Sequence, residues 1–147
     1  MNIHPPLSGI DKRIITFLLS QTTLTIATCS EDKPYCATCF YVYSQEDNCL
    51  IFKSSKESQH ILNALANNSV AGSVLPDKLV TAQLKGIQFT GTFTDPEGEH
   101  LKKLQRIYYK KYPFAIAVPG NIWSIELKGI KYTDNTLGFG KKISWEG

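Results

Sequence analysis

The stretch TLTIATCSEDKPYCATCFYVY, residues 23–43, switches the chain from a helical to a two-residue period and decides the fold. Leu24, Ile26 and Thr28 fall on one face and Thr25, Ala27 and Cys29 on the other, until Glu31-Asp32-Lys33-Pro34 supplies turn chemistry. The return arm puts Tyr35, Ala37, Cys39, Tyr41 and Tyr43 on one face and Cys36, Thr38, Phe40 and Val42 on the other. Aromatic and β-branched residues in that pattern predict a hairpin whose second strand is at least partly covered on both faces.

Upstream of the hairpin, Ser8 with Asp11 predicts an N-cap, and Ile10, Ile14, Ile15 and Leu18 recur at helical spacing up to Gln21. Downstream, 44–48 is a polar turn and 49–53 a short strand. Ser54-x-x-Glu57 has the form of a capping box opening a helix with Ile61, Leu62, Leu65 and Ala66 as its apolar stripe, ended by Asn67 and Asn68. Residues 70–75 and 79–94 read as two strands, the second interrupted by Gly86 and Gly91, which mark bulging or sharp curvature. Asp95-Pro96 predicts the start of a third helix that buries Leu101, Leu104, Ile107 and Tyr108 and stops at Pro113. Residues 121–133 form a last long strand, followed by a turn at Asp134-Asn135 and a glycine-rich tail ending near Trp145. Six antiparallel strands with inserted helices give an α+β, barrel-like fold, in one domain over residues 1–147.

Composition narrows the function. Sixteen basic and 13 acidic residues give a net charge of +3, too balanced for a protein that neutralises many phosphates, so nucleic acid is not the expected partner. The basic side of the third helix, Lys102, Lys103, Arg106 and Lys110, is read as the solvated complement of its apolar stripe. No apolar run approaches the roughly 20 residues of a membrane span, and the region around His4, Pro5 and Pro6 lacks the pattern of a signal peptide. A cytoplasmic location follows as the expectation, with Cys29, Cys36, Cys39 and Cys49 as reduced thiols. Cys36 and Cys39 form a C-x-x-C pair, but three residues apart on a strand they point to opposite faces and cannot share a metal. Cys29 and Cys36 would face each other only if residues 31–34 formed a four-residue loop. No hydrolase, zincin, Walker or dinucleotide motif is present, and no metal is expected.

The densest polar run is Lys53-Ser54-Ser55-Lys56-Glu57-Ser58-Gln59-His60, where a strand ends and a helix begins. Hydroxyls at a helix N-terminus cradle phosphate through its unpaired amides and partial positive charge. The same residues also serve as plain helix caps, and spacing alone leaves both open.

The order of these elements, with the residues of 23–29, 37–43, 50–68, 84–91 and 137–142, resembles the pyridoxamine 5'-phosphate oxidase-like FMN-binding split barrels, in particular a small bacterial branch. The resemblance implies a six-stranded split β-barrel and a homodimer with FMN between protomers. It places Thr38, Cys39, Phe40 and Tyr41 beside the flavin and makes Ser54, Ser55, Ser58, Gln59 and His60 phosphate ligands. Gln88 would approach the pyrimidine end of the ring, while Phe139, Lys141 and Trp145 would reach the partner's flavin. Oxidases of the family carry arginine at the position of Thr38 and an arginine-lysine pair at Gln59 and His60, so the anion clamp here has fewer fixed charges. The C-terminal motif that binds pyridoxal phosphate is absent. The resemblance therefore implies an FMN-binding flavoprotein with oxidoreductase activity on a small molecule, using a nicotinamide donor or oxygen, and not a producer of pyridoxal phosphate. Two alternatives are a non-catalytic module of the same fold that binds flavin, haem or another ligand, and a cofactor-free interaction protein.

Overall fold

A computed structural model describes residues 9–137 and 141–147. Helix α1 spans Lys12–Ser20, and Asp11 is its N-cap, accepting a hydrogen bond from the Arg13 amide at 2.9 Å. Asp11 thus caps the helix itself, while the expected cap Ser8 lies outside the described residues. Ile14, Phe17 and Leu18 turn inward.

Strands β1 (Thr23–Ser30) and β2 (Lys33–Ser44) form the expected hairpin, joined by Glu31 and Asp32 alone. Both turn residues have positive φ, 52° and 62°, the conformation of a tight turn whose twist matches the strands. The shorter turn changes the register. Cys29 pairs with Pro34 and Cys36 with Ala27, so the two thiols are not opposite each other, and all four cysteines are free. β2 is also less covered than its composition predicts. Residues 33–36, Thr38 and Phe40 are exposed, and only from Tyr41 onward are both faces buried.

The remaining elements are β3 (Cys49–Ser54), α2 (Gln59–Ala66), β4 (Ser69–Val74), β5 (Lys85–Thr94), α3 (Gly98–Lys111), a 3-10 turn over Pro113–Ala117, β6 (Asn121–Asp134) and β7 (Lys142–Glu146). The strands hydrogen-bond in the order β3-β2-β1-β4-β5-β6, and β3 pairs back onto β6, closing an antiparallel ring of six. The fold is the split barrel expected from the sequence. The split arises on one edge of β6, whose first half pairs with β3 and whose second half pairs with β7. β7 is an addition, formed where the sequence suggests only a glycine-rich tail. The register of β5 on β6 shifts between Thr90 and Gly91, the bulge predicted at Gly91.

Two packed layers result. Inside the barrel lie Leu24, Ile26, Tyr41, Phe52, Ile87 and Ile125, plugged by the inward face of α1. Outside it, Leu104, Tyr108 and Tyr112 of the α3 region cover Val42, Ile51 and Ile122, which is why the start of β3 is buried on both faces. Gly72 marks the tightest strand approach, because a Cβ there would collide with the Thr25 carbonyl and the Phe89 ring. Among the described residues no helix is long and apolar enough to cross a membrane.

Three boundaries differ from expectation. α2 begins only at Gln59, with four residues between it and the end of β3, its inward residues are Ile61, Asn63 and Ala64, and Leu62 and Leu65 face solvent at about half exposure. Residues 75–84 form a loop rather than the start of β5, tied down by the Asp77 carboxylate, which accepts from the Thr22 amide and hydroxyl at 2.9 and 3.0 Å. α3 opens at Gly98 behind Glu97, not at Pro96. Its expected stripe holds, with Leu104 and Tyr108 buried and Leu101 and Ile107 packed beside them.

Candidate functional site

The exposed half of β2, the end of β3 and the start of α2 meet around a cavity of about 410 Å³. β3 delivers Ser54 there as its last residue, paired with Asn121 and pinned by the Trp123 indole N–H, which donates to the Ser54 carbonyl at 2.9 Å. α2 delivers His60 from its first turn. The Ser54 Oγ lies 2.8 Å from His60 Nε2, and the Cys39 Sγ lies 3.5 Å from the same hydroxyl and 3.9 Å from the same nitrogen. Three groups from three elements thus converge, although no pair is adjacent in sequence.

Burial lowers the His60 pKa from its ordinary 6.5 and raises that of the Cys39 thiol, an upward shift that the Ser54 hydrogen bond partly offsets. At neutral pH the site therefore holds a neutral imidazole and a protonated thiol. Lys53 also lines the cavity, but its ammonium donates to the Tyr109 hydroxyl at 2.8 Å and the Ala115 carbonyl at 2.7 Å. It braces the wall. The expected capping box does not form, because the Ser54 hydroxyl is held by His60 and the Glu57 carboxylate accepts from Ser55. Ser58 occupies the N-cap position of α2 without a side-chain capping bond. The Ser58 carbonyl accepts from the Ile61 and Leu62 amides at 3.1 and 3.0 Å, which leaves the Gln59 and His60 amides as the first-turn donors without an intrahelical acceptor. Gln59 is exposed and donates to Asn63 Oδ1 at 2.7 Å, tying the start of the helix to a buried asparagine.

The opposite wall is apolar. Phe40 is 49% exposed, with its ring centroid 5.6 Å from Tyr112 and 6.4 Å from Phe114. Phe114, Ile116 and Val118 are also exposed, on the segment bracketed by Pro113 and Pro119. Of this wall the sequence-based site contains Phe40 but not the segment carrying Phe114, Ile116 and Val118. Its signal is an apolar run between two prolines, which fix a short surface segment and prevent it from joining a helix or a central strand.

Of the other predicted residues, Tyr41 sits beside the cluster in sequence but turns its ring into the core, donating from its hydroxyl to the Leu18 carbonyl at 2.7 Å. Thr38 lines the cavity, whereas Ser55 is exposed and is not among its lining residues. Gln88 is not brought to the cluster. It stands in a row across the outer sheet face, Thr38-Thr25-Ser73-Gln88-Lys131-Ser144, each opposite the next. Three strand spacings of about 4.8 Å put it roughly 14 Å from Thr38. Trp145 lies opposite Ile130 on β7 and packs against the core, Lys141 is exposed, and Phe139 lies outside the described residues. The predicted residues therefore form two separate groups, one around Ser54 and His60 and one on the β5–β7 side.

No protein-family model matches the chain. The UPF0306 protein plu4501 of Photorhabdus laumondii is 40% identical over 130 residues, 88% of this chain and 91% of that protein. The UPF0306 protein YhbP of Salmonella arizonae is 33% identical over 132 residues, 90% of each chain. Among solved structures, a heme-binding protein from Mycobacterium smegmatis superposes with a TM-score of 0.76 at 16% identity, covering 89% of this chain and 55% of that one. This chain thus spans about half the length of that protein. An FAD-binding protein from Mesorhizobium loti gives 0.68 at 19% identity, covering 85% and 94%. A candidate pyridoxamine 5'-phosphate oxidase from Listeria innocua gives 0.66 at 15% identity, covering 82% and 95%. At these identities the structures speak for the fold alone, while the sequence relatives extend along nearly the whole chain. The chain therefore belongs to the UPF0306 family, built on the pyridoxamine 5'-phosphate oxidase-like split barrel.

Proposed function

We propose that the chain is an FMN-binding flavoprotein that acts in the cytoplasm as a homodimer, with flavin between protomers, and serves as an oxidoreductase for a small molecule. The observation that carries this reading is the pairing of Ser54 and His60 at the start of α2 with the exposed Phe40 wall around one cavity. The donor set suits a phosphate ester on an aromatic ring system. The Ser54 and Ser58 hydroxyls, the first-turn amides and the neutral imidazole would hold the phosphate, and Phe40 would cover apolar ring surface. When bound, the flavin supplies the hydride and electron transfer. The chain supplies orientation, and the protonated Cys39 thiol offers a weak donor beside the Ser54 hydroxyl. The exposed apolar residues Phe114, Ile116 and Val118 support a partner protomer over the site, which would bring the partner's Gln88 and Trp145 within reach of the flavin.

A non-catalytic flavin- or haem-binding module is the second reading. It is favoured by a site that presents Thr38, Gln59 and a neutral His60 imidazole where the family's oxidases carry the charged clamp.

Visible absorption of the purified protein, repeated after FMN addition and gel filtration, tests the first reading. Flavin retained at one per protomer is expected, and all FMN returned would overturn it. Each lost hydrogen bond to a charged phosphate is worth about 1.5–3 kcal/mol, so Ser58→Ala with His60→Ala is expected to weaken FMN at least about tenfold with the dimer intact. Turnover with NADH or NADPH separates the enzyme from the binding module.

A further inference from the structure

We propose that the cavity at the α1 end of the barrel is a second ligand site, independent of the flavin reading, for a small molecule bearing phosphate groups. This cavity, also about 410 Å³, lies between α1, the loop at 75–84 and the first residues of β5. Its volume falls within the usual range for small-molecule sites, and a barrel mouth is a usual place for one. Lys12, Arg13, Lys78 and Lys85 line it, and no carboxylate does. Two of these cations are partly neutralised from behind. Arg13 makes a two-pronged bond to Asp11 at 2.9 and 2.8 Å, and Lys85 lies 3.9 Å from Asp134, which itself accepts from Tyr132 and Thr136. Among the described residues, Lys12 and Lys78 have no carboxylate partner.

Lys12 and Arg13 are the first two residues of α1, the positive end of its dipole, and the first turn holds no acidic residue. The N-cap Asp11 supplies negative charge there, but its carboxylate is closed on Arg13, so the Lys12 ammonium is left uncompensated beside the cavity. A bound anion would compensate it. The loop carrying Lys78 is held in place by the Asp77 bonds to Thr22 and by the Asp77 amide, which donates to Gln21 Oε1 at 2.7 Å. The floor is aromatic, with Phe17 and Tyr132 ring centroids 5.3 Å apart, so an organic group attached to the phosphate has apolar surface to rest on. Lys12 and Arg13 are distant in sequence from Lys78 and Lys85, and the two pairs meet only in the folded chain.

Titration of the 15N-labelled full-length protein, followed by amide chemical shifts, tests the site with inorganic pyrophosphate, adenosine 5'-monophosphate and adenosine as probes. Saturable shifts at Lys12, Arg13, Lys78 and Lys85 are expected with the two anions and none with adenosine, weakening as salt screens the charges. Lys12→Gln combined with Lys78→Gln is expected to weaken both anions at least tenfold while amide dispersion stays native. Lys78→Gln alone, on the exposed loop, is expected to weaken them severalfold. The Ser58→Ala, His60→Ala variant is expected to bind the anions at this site unchanged, so the two cavities are tested separately. Shifts confined to residues 54–60, non-saturating drift with every probe, or equal affinity in the double-lysine variant would each overturn the proposal.

Discussion

The starts of α1 and α2 face cavities of equal volume with opposite chemistry. At α1 the cap is a carboxylate closed on Arg13, and charge comes from Lys12 on the helix, Lys78 on the loop and Lys85 on the strand around it. At α2 the cap Ser58 makes no side-chain bond, and the neighbours are a hydroxyl, a thiol and an uncharged imidazole. The difference teaches that a polar helix start is not one kind of site. Neutral donors act only when aimed, so the α2 site depends on the Ser54–His60 geometry. Cations act by proximity, so the α1 site depends on the loop being held close and on ionic strength.

The largest expected effect that would break this comparison is loss of the α1 anchor. Ile14 is fully buried, and Ile14→Ala is expected to cost about 2–5 kcal/mol in urea unfolding. In the folded fraction it should weaken pyrophosphate binding at the α1 cavity and leave FMN titration unchanged. A smaller effect is expected from Tyr41→Phe. The Tyr41 hydroxyl bonds the Leu18 carbonyl and so joins α1 to the strand behind the α2 site, and its loss leaves a buried acceptor unpaired, at about 1–2 kcal/mol. Unchanged stability would show that the two regions are not mechanically joined there.

A third test uses pH. Because the folded pKa of His60 lies below its ordinary 6.5, the unfolded chain takes up the proton first as the pH falls. The stability associated with neutral His60 is complete above about 6.5 and is lost as pH falls from there towards the folded value. His60→Gln is expected to flatten the dependence of the urea midpoint across this window, and an unchanged slope would place the titration elsewhere. The smallest effect is a control. The Lys102–Glu99 pair, 3.3 Å apart, lies on the exposed side of α3, and Lys102→Ala is expected to change stability by less than about 0.5 kcal/mol and neither binding titration.

Local patterns were legible where neighbours in sequence are neighbours in space. The alternation of Leu24, Ile26 and Thr28, the bulge at Gly91 and the stripe of Leu104 and Tyr108 follow from backbone periods of two and 3.6 residues. The polar run at 53–60 was legible as a site because it is continuous, but its internal bonding was not. Ser54 and Glu57 have the spacing of a capping box, yet the strand extends through Ser54, and His60 takes its hydroxyl. α2 begins only at Gln59, and Leu62 and Leu65 lie outside.

By itself, then, the sequence determined the hairpin, the buried faces of α1 and α3 and, through its ordered resemblance, the split barrel. Tertiary structure alone decided that β3 closes on β6, that Cys39 meets Ser54 and His60, and that Lys12 and Arg13 meet Lys78 and Lys85. Local periodicity is set by each residue's own backbone geometry, whereas these meetings depend on strand register and loop placement across the whole barrel, which no short window contains.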